Sequence, residues 1–333
     1  MEKHSLGADS KTHMDASALL NKRILSQVIV FSFFPRFSVD LFMLQVYIDR
    51  YNSGNRTHRR IWLKGWIRMQ TGKGTNCIAH RGFSGEYPEN TMLAFQKAVE
   101  AGCDGIELDV HLTKDGEIVV IHDETVDRTT DGRGAVKDYT LSELRRLDSS
   151  GRFTGLFGVQ HIPTLREYFD YIRSFSIFTN IELKNSEYYY EGLEEKTIAL
   201  IREYHLEDRI LFSSFNNASV LLCRKLAPEI PGGFLCTDPI QNCGAYALSC
   251  GAAYIHPEYS RISEAEIDDC HERGIGINAW TVNEPNHMLW LIRKKISGII
   301  TNYPNLCTTL LHSSSVKNAD STYIHSPRQK FTL

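Results

Sequence analysis

Short apolar runs alternate with longer amphipathic segments from residue 77 to residue 312. Apolar runs of about four to eight residues between turn signals are typical of buried strands, whereas apolar residues at every third or fourth position are typical of helices. The pattern predicts eight strands, at Cys77–Arg81, Asp104–Val110, Phe178–Lys184, Ile210–Phe215, Gly232–Cys236, Ala253–His256, Gly276–Thr281 and Gly298–Asn302. It predicts eight helices, at Glu89–Ala101, Thr164–Arg173, Gly192–Tyr204, Asn216–Leu226, Pro239–Ser249, Ser263–Arg273, Glu284–Arg293 and Pro304–His312. Eight strand–helix units over about 235 residues predict an α/β protein of the (β/α)8, or TIM, barrel type, whose usual size is roughly 250 residues.

One further apolar run, Glu117–His122, does not fit this alternation. Three residues separate it from the continuation of the second strand, whereas parallel neighbours need a connection of a dozen or more. An Asp-Gly pair between two strands is the strongest short signal for a β-hairpin. We therefore expect this run to be antiparallel, with Asp115 and Gly116 as a two-residue turn and with Asp109 opposite His122.

A small insertion, residues 123–163, follows the hairpin and carries a short helix near Leu141–Leu147. Long excursions on the rim of a barrel tend to be lids or substrate walls, and a loop that merely covers the barrel is the alternative.

Composition and charge separate the ends of the chain from the barrel, which we place at residues 75–312. The whole chain has 333 residues, of which 42% are apolar and 23% charged, and its net charge of -3 does not indicate a nucleic-acid partner. Residues 1–74, however, hold 12 Lys and Arg against 5 Asp and Glu. Their apolar runs are too short to span a bilayer, so we expect a poorly ordered or membrane-associating extension, with residues 20–68 as the segment suited to an anionic membrane surface. Residues 313–333 form a predicted C-terminal tail.

The eight cysteines show no metal-binding CxxC spacing and lie mostly in apolar or helical contexts. We interpret them as free thiols in a reducing compartment, which favours a cytoplasmic protein.

Polar side chains collect at the carboxyl ends of the predicted strands, where a TIM barrel holds its active site. The second strand alternates apolar and polar residues, so Glu107, Asp109 and His111 share one face. The same period places Glu182 and Lys184 together on the third strand. The remaining candidates are His80 and Arg81 after the first strand, His122 on the hairpin and Trp280 on the seventh strand.

These residue types suit phosphate chemistry. Three carboxylates form a hard-oxygen site for Ca²⁺ or Mg²⁺, and two histidines can act as general acid and base. Arg81 and Lys184 supply positive charge for a phosphate. Two alternatives are open: the acids and cations could form a buried ion network without metal, and Trp280 could either line a substrate pocket or plug the barrel.

An ordered set of motifs resembles the glycerophosphodiester phosphodiesterases over essentially Ile78 to Pro304. The set comprises His80-Arg81-Gly82, Pro88-Glu89-Asn90-Thr91, Glu107-Leu108-Asp109-Val110, Thr113-x-Asp115-Gly116, Val119-Val120-x-His122-Asp123, Glu182-Leu183-Lys184 and Trp280-Thr281-Val282-Asn283. The resemblance implies a metal-dependent phosphodiesterase on a TIM barrel, with Glu107, Asp109 and Glu182 as metal ligands. It also implies that His80 and His122 are the acid/base pair and that Arg81 and Lys184 contact phosphate.

We accordingly expect a small-molecule glycerophosphodiester as substrate, hydrolysed to sn-glycerol 3-phosphate and an alcohol. Two other functions are open. The first is lysophospholipase D activity on lysophospholipids, which an apolar trough beside residues 123–163 would favour. The second is a barrel that binds a phosphate ligand without turnover.

Overall fold

A computed structural model of the chain describes residues 74–313. One sheet contains nine strands in this range: β1 (Asn76–His80), β2 (Gly105–Leu112), β3 (Ile118–Val120), β4 (Phe178–Leu183), β5 (Ile210–Ser214), β6 (Gly232–Cys236), β7 (Tyr254–Pro257), β8 (Gly276–Ala279) and β9 (Gly298–Thr301). Every strand except β3 pairs only in parallel with its barrel neighbours, and β1 pairs with both β2 and β9. The sheet therefore closes on itself, and the predicted (β/α)8 barrel is confirmed.

Helices cover the outside of the barrel and alternate with its strands. They are α1 (Met92–Glu100), α2 (Leu141–Leu144), α3 (Leu165–Ile172), α4 (Leu193–Glu203), α5 (Asn217–Leu226), α6 (Cys243–Cys250), α7 (Glu264–Arg273), α8 (Pro285–Arg293) and α9 (Pro304–His312). Most lie within three residues of their predicted bounds, but α6 begins at Cys243 rather than at Pro239. Asn242 precedes it with φ at 53°, in the left-handed region, so the helix cannot continue back through this residue.

Strand β2 carries three of the polar residues that the sequence pattern places on one face, Glu107, Asp109 and His111. All eight of its residues are buried, because helices cover its outer face and the barrel encloses its inner face. Glu107, Asp109 and His111 alternate with Ile106, Leu108 and other apolar residues of the core. The period-two pattern of the sequence therefore places three polar side chains inside the barrel.

The hairpin is antiparallel as predicted, but its predicted register is wrong by one residue. Val110 pairs with Val120 and Leu112 with Ile118, so Asp109 lies opposite Ile121 rather than His122. The turn has three residues instead of two. The Thr113 hydroxyl donates to Asp115 Oδ1 at 2.6 Å and accepts the backbone N–H of Glu117 at 2.9 Å, and these bonds stabilise the longer turn.

The insertion after the hairpin has a core of its own, in which Val126, Val136, Leu144 and Ile162 pack against Val119 and Ile121. Its helix α2 begins with a capping box between Thr140 and Glu143, and it ends at Leu144 rather than Leu147.

The predicted extension, residues 1–74, and the predicted tail, residues 313–333, lie outside the described residues apart from Gly74 and Ser313. Within residues 74–313, none of the helices combines the length and the apolar character needed to cross a bilayer. All eight cysteines are free thiols, and only Cys236 among them is not fully buried.

Candidate active site

Three carboxylates meet at the carboxyl end of the barrel. The parallel register sets Glu107 of β2 beside His80 of β1, and Asp109 of β2 beside Glu182 of β4. One carboxylate oxygen from each acid lies within 4.8 Å of the other two, and all three residues are buried. The sequence pattern on two separate strands thus produces a single cluster of oxygen ligands.

Negative charges at this distance repel one another, and the pKa values of the three acids are shifted in different directions. Burial raises the pKa of Glu107 well above its usual range, and repulsion from Asp109 and Glu182 adds to this effect. Burial and the charge of Asp109 also raise the pKa of Glu182. Although burial alone would raise the pKa of Asp109, the positive charges of His122 and Arg81 lower it.

The cluster fits a divalent cation. Asp109 Oδ1 is a buried oxygen that accepts no hydrogen bond within residues 74–313, while Asn90 Nδ2 donates to the other oxygen, Oδ2, at 2.9 Å. A buried carboxylate oxygen that accepts no hydrogen bond is costly unless cations compensate it. Three carboxylates with one such oxygen therefore form a ligand set of the hard, oxygen-only kind that Ca²⁺ and Mg²⁺ prefer.

Two cations adjoin the acids. Lys184 Nζ donates to Glu182 Oε1 at 2.9 Å and lies 3.9 Å from Asp109 Oδ1. Arg81 Nη1 donates to Glu89 Oε1 at 2.8 Å, and Arg81 Nε lies 3.6 Å from Asp109 Oδ2. Although burial opposes it, the acids around them raise the pKa of both cations, so each stays charged.

His80 is held at the end of β1 with one ring nitrogen occupied. Its Nδ1–H donates to Asn302 Oδ1 at 2.6 Å, which leaves Nε2 with a lone pair at 4.0 Å from Glu107 Oε2. Burial, with a contribution from Arg81, lowers the pKa of His80 to about 3. The ring is therefore neutral near pH 7, and its free nitrogen can accept a proton.

His122 is oriented from the opposite side. Its Nδ1–H donates to Asp123 Oδ1 at 2.6 Å, and its Nε2 lies 3.3 Å from Lys184 Nζ. Arg128 holds Asp123 in turn, through bonds of 2.7 and 2.9 Å to its two oxygens, and forms two bonds of 2.8 Å with Glu89. A carboxylate on Nδ1 fixes the tautomer and stabilises a proton on the ring.

The sequence pattern did not assign roles to these supporting residues. Asp123 and Arg128 lie on one loop and Glu89 on another, so no spacing along the chain indicated that Glu89 would meet the other two. The available signal was the motifs themselves, because Glu89 and Asp123 belong to two of the strings that resemble the family.

His111 lies beneath His122 and is fully buried. The Tyr190 hydroxyl lies 3.0 Å from His111 Nδ1, and His111 Nε2 lies 3.1 Å from the backbone carbonyl of His122. A carbonyl only accepts, so Nε2 carries the proton and Nδ1 accepts from Tyr190. Burial lowers the pKa of His111 to about 4, which agrees with this neutral form.

An open pocket joins most of the predicted site residues. His80, Arg81, Glu107, His122, Glu182 and Trp280 line it, and Lys184 and Asp109 lie against them. Trp280 Nε1–H donates to the backbone carbonyl of His256 at 2.6 Å, and its ring packs edge-to-face on Phe215 with 5.7 Å between centroids. Trp280 is therefore part of the pocket wall.

Known proteins show the same combination of sequence and fold. Residues 80–306 match the model of the glycerophosphoryl diester phosphodiesterase family. A glycerophosphodiester phosphodiesterase of Caldanaerobacter subterraneus subsp. tengcongensis is 44% identical over 237 residues, which cover 71% of this chain and 98% of that protein. A glycerophosphodiester phosphodiesterase of Bacillus altitudinis is 42% identical over 234 residues, with coverages of 69% and 96%.

A solved structure is similar as well. The phosphodiesterase of Oleispira antarctica, solved in complex with the product sn-glycerol-3-phosphate, has 32% sequence identity and a TM-score of 0.65, and the match covers 72% of this chain and 98% of that one. The family that the motifs indicated is confirmed: the chain belongs to the glycerophosphoryl diester phosphodiesterase family of enzymes.

Proposed function

We propose that the protein is a metal-dependent phosphodiesterase that hydrolyses glycerophosphodiesters to sn-glycerol 3-phosphate and a free alcohol. The observation that carries this proposal is the placement of two histidines, each held through its Nδ1 and each lining the pocket, around three buried acids. The product bound to the similar Oleispira phosphodiesterase supports the choice of substrate.

Glu107, Asp109 and Glu182 would hold Ca²⁺ or Mg²⁺. When bound there, such an ion would offset the charge that develops on phosphoryl oxygens during hydrolysis. The same ion would relieve the repulsion that raises the pKa of Glu107, because its positive charge favours the carboxylate form.

The histidines have complementary roles in this proposal. His80 is neutral and presents Nε2 to the pocket, so it takes the proton from the attacking hydroxyl, which belongs either to water or to the glycerol of the substrate. His122 is backed by the Asp123 carboxylate, which stabilises its protonated form, so it delivers a proton to the departing alcohol oxygen.

Arg81 and Lys184 would bind the phosphate, since both are charged and lie beside the acids. Trp280 and Phe215 form the apolar part of the pocket wall, which we assign to the alcohol. We further propose a cytoplasmic location, supported by the eight free thiols.

The experiment is turnover of glycerophosphocholine by the full chain and by His80→Ala and His122→Ala. Loss of a proton donor or acceptor should reduce kcat by roughly 10²–10⁴-fold. His271→Ala is the matched control, because this histidine lies exposed on α7, and its turnover should equal that of the parent. Near-normal turnover by both site variants would contradict the proposed roles.

A further inference from the structure

The insertion holds a group of apolar side chains that the described chain leaves largely exposed. We call residues 153–159 the apolar tip. Within it Leu156 is 70% exposed, Val159 is 63% exposed and Phe157 is 39% exposed. The other exposed large hydrophobic residues of the described chain, Tyr189, Phe215 and Leu248, are each far from one another in sequence. Exposed apolar side chains of the described chain are therefore concentrated in the apolar tip.

The tip has a defined shape, which its glycines provide. Gly155 and Gly158 have φ of 82° and 73°, a backbone region that residues with a Cβ rarely adopt. The backbone N–H of Leu156 donates to the carbonyl of Phe153 at 3.0 Å, and the backbone N–H of Ser149 donates to the carbonyl of Gln160 at 2.7 Å. These bonds close the loop beneath its apolar side chains.

The tip is anchored next to the active site. Arg152 Nη2 donates to the carbonyls of Ser84 and Gly85 at 2.9 and 3.1 Å. The Ser84 hydroxyl donates in turn to the carbonyl of His80 at 2.6 Å. In addition, the ring of Phe157 packs on that of Tyr87 with 5.1 Å between centroids. The loop that follows His80, the last residue of β1, therefore contacts the base of the apolar tip.

We propose that the apolar tip enters a lipid–water interface and holds the active site against it, so that a lysophospholipid borne by that interface is a substrate in addition to soluble glycerophosphodiesters. This inference rests on the proposed phosphodiesterase function. It assigns the tip a partner, the lipid surface, and adds a second kind of substrate, a glycerophosphodiester with one acyl chain.

The size and charge of the tip favour lipid over protein as its partner. Three partly exposed side chains offer on the order of a few hundred Å², whereas a stable protein interface buries about 800 Å² on each partner. From residue 149 to residue 160 the chain has no carboxylate, and Arg152 is its one charged residue. A small, uncharged apolar wedge with a cation at its base suits a phosphate-bearing surface.

The reaction would be the same as for the soluble substrate. The oxygen of water forms the new bond to phosphorus, and the bond from phosphorus to the choline oxygen breaks. The proton that water loses is matched by the proton that the choline oxygen gains. Lysophosphatidylcholine and water would thus give lysophosphatidic acid and choline, while the acyl chain stays in the lipid phase.

The experiment compares the full chain with the double variant Leu156→Ser/Val159→Ser. Sedimentation with phosphatidylcholine vesicles measures binding, and turnover is measured on glycerophosphocholine and on lysophosphatidylcholine above its critical micelle concentration. The double variant replaces two apolar side chains that would be buried in lipid by serine. This loss should weaken vesicle binding and turnover of micellar lysophosphatidylcholine by at least about tenfold. Turnover of soluble glycerophosphocholine should be unchanged. Leu248→Ser is the matched control, because Leu248 is exposed on α6, and it should match the parent throughout.

A second measurement detects the tip in the lipid directly. In the variant Leu156→Trp, bromine-labelled phosphatidylcholine should quench the added fluorescence, whereas the added fluorescence of Leu248→Trp should not respond. This readout separates the tip from any membrane contact that residues 20–68 make.

Three results would overturn the inference: unquenched fluorescence at position 156, equal micellar turnover by the double variant and the parent, or self-association of the parent that the double variant abolishes. The last result would mean that the apolar tip binds a second copy of the chain instead of lipid. Failure of the proposed function is distinguishable, because the parent would then leave glycerophosphocholine intact while position 156 was still quenched by lipid.

Discussion

Replacing Glu107 by Gln should stabilise the protein when metal is absent and destabilise it relative to the parent when metal is present. The pKa of Glu107 is raised on folding by burial and by the neighbouring acids, so this carboxyl group favours folding at low pH and opposes it as the pH rises. At pH 7 the unfolded chain carries the charge freely, whereas the folded chain must either bury the charge or take up a proton, and both cost free energy. Gln is nearly the same size, and its oxygen can still accept the backbone N–H of Arg81, now at 3.0 Å from Glu107 Oε2.

The magnitude follows from the geometry of the three acids. At an effective dielectric constant of about 20, two unit charges 4.8 Å apart repel by about 3.5 kcal/mol. Arg81 and Lys184 offset part of this repulsion. We therefore expect Glu107→Gln to raise the free energy of unfolding by about 1–3 kcal/mol in chelator at pH 7. Each kcal/mol corresponds to about 2–4 °C in Tm for a domain of this size.

The assay is thermal unfolding of both proteins in EDTA and in excess Mg²⁺ or Ca²⁺. A metal at a free concentration 1,000 times its Kd stabilises the parent by about 4.1 kcal/mol, and the variant should lose most of this gain because it lacks one ligand. The order of the two Tm values should thus reverse on adding metal. Below the ordinary pKa of glutamate, about 4.3, the difference in EDTA should disappear.

Glu89→Gln is the matched control, because the pKa of Glu89 is shifted in the other direction. Although burial opposes it, hydrogen bonds from Arg128 and the charge of Arg81 lower the pKa of Glu89 to about 2. This carboxylate stabilises the folded chain above its ordinary pKa, and its replacement should cost about 1–3 kcal/mol with or without metal. If Glu107→Gln also lowered Tm in EDTA at pH 7, the acids would be partners in a buried ion network, and the argument for a metal site would fail.

Three further predictions concern the histidines and their partners. Asp123→Asn should lower kcat of glycerophosphocholine turnover, because His122 loses the carboxylate on Nδ1. The expected loss is part of the roughly 10²–10⁴-fold that acid–base catalysis contributes, with little change in KM. An unchanged kcat would exclude this orienting role of Asp123. His111→Phe should lower the free energy of unfolding by about 1–3 kcal/mol in urea titrations, because the carbonyl of His122 and the hydroxyl of Tyr190 lose their partner. Tyr190→Phe leaves only His111 Nδ1 unpaired and should have the smaller effect. Equal effects would contradict the assignment of two hydrogen bonds to His111. In NMR titrations of the metal-free protein, the ring of His80 should stay neutral from pH 8 down to pH 4, since burial lowers its pKa to about 3. A midpoint for His80 near pH 6.5, the ordinary value for histidine, would contradict the burial argument.

Local periodicity is sufficient to predict the barrel and the centre of its site. Strands buried on both faces leave continuous apolar runs, and polar residues inside such runs stand out at once. The two-residue period of a strand by itself predicts that Glu107 shares a face with Asp109, and Glu182 with Lys184. The rule that parallel strands end at one rim then brings both pairs together.

The surrounding contacts could not be predicted in this way, because they join loops that are distant in sequence. Asn302 reaches His80 across 222 residues, and Arg128 connects Glu89 with Asp123 on different loops. The hairpin register failed for a different reason. The Thr113 side chain stabilises a three-residue turn, and such a side-chain bond outweighs the general preference of Asp-Gly for two-residue turns.

The dependence of turnover on metal tests the proposed site most directly. The full chain is dialysed against EDTA, and release of sn-glycerol 3-phosphate from glycerophosphocholine is followed before and after adding Mg²⁺ or Ca²⁺. We predict that the chelated protein is inactive and that one of these ions restores turnover in the parent but not in Glu182→Gln. Full turnover in EDTA, or equal restoration in parent and variant, would contradict a metal-dependent phosphodiesterase built on Glu107, Asp109 and Glu182.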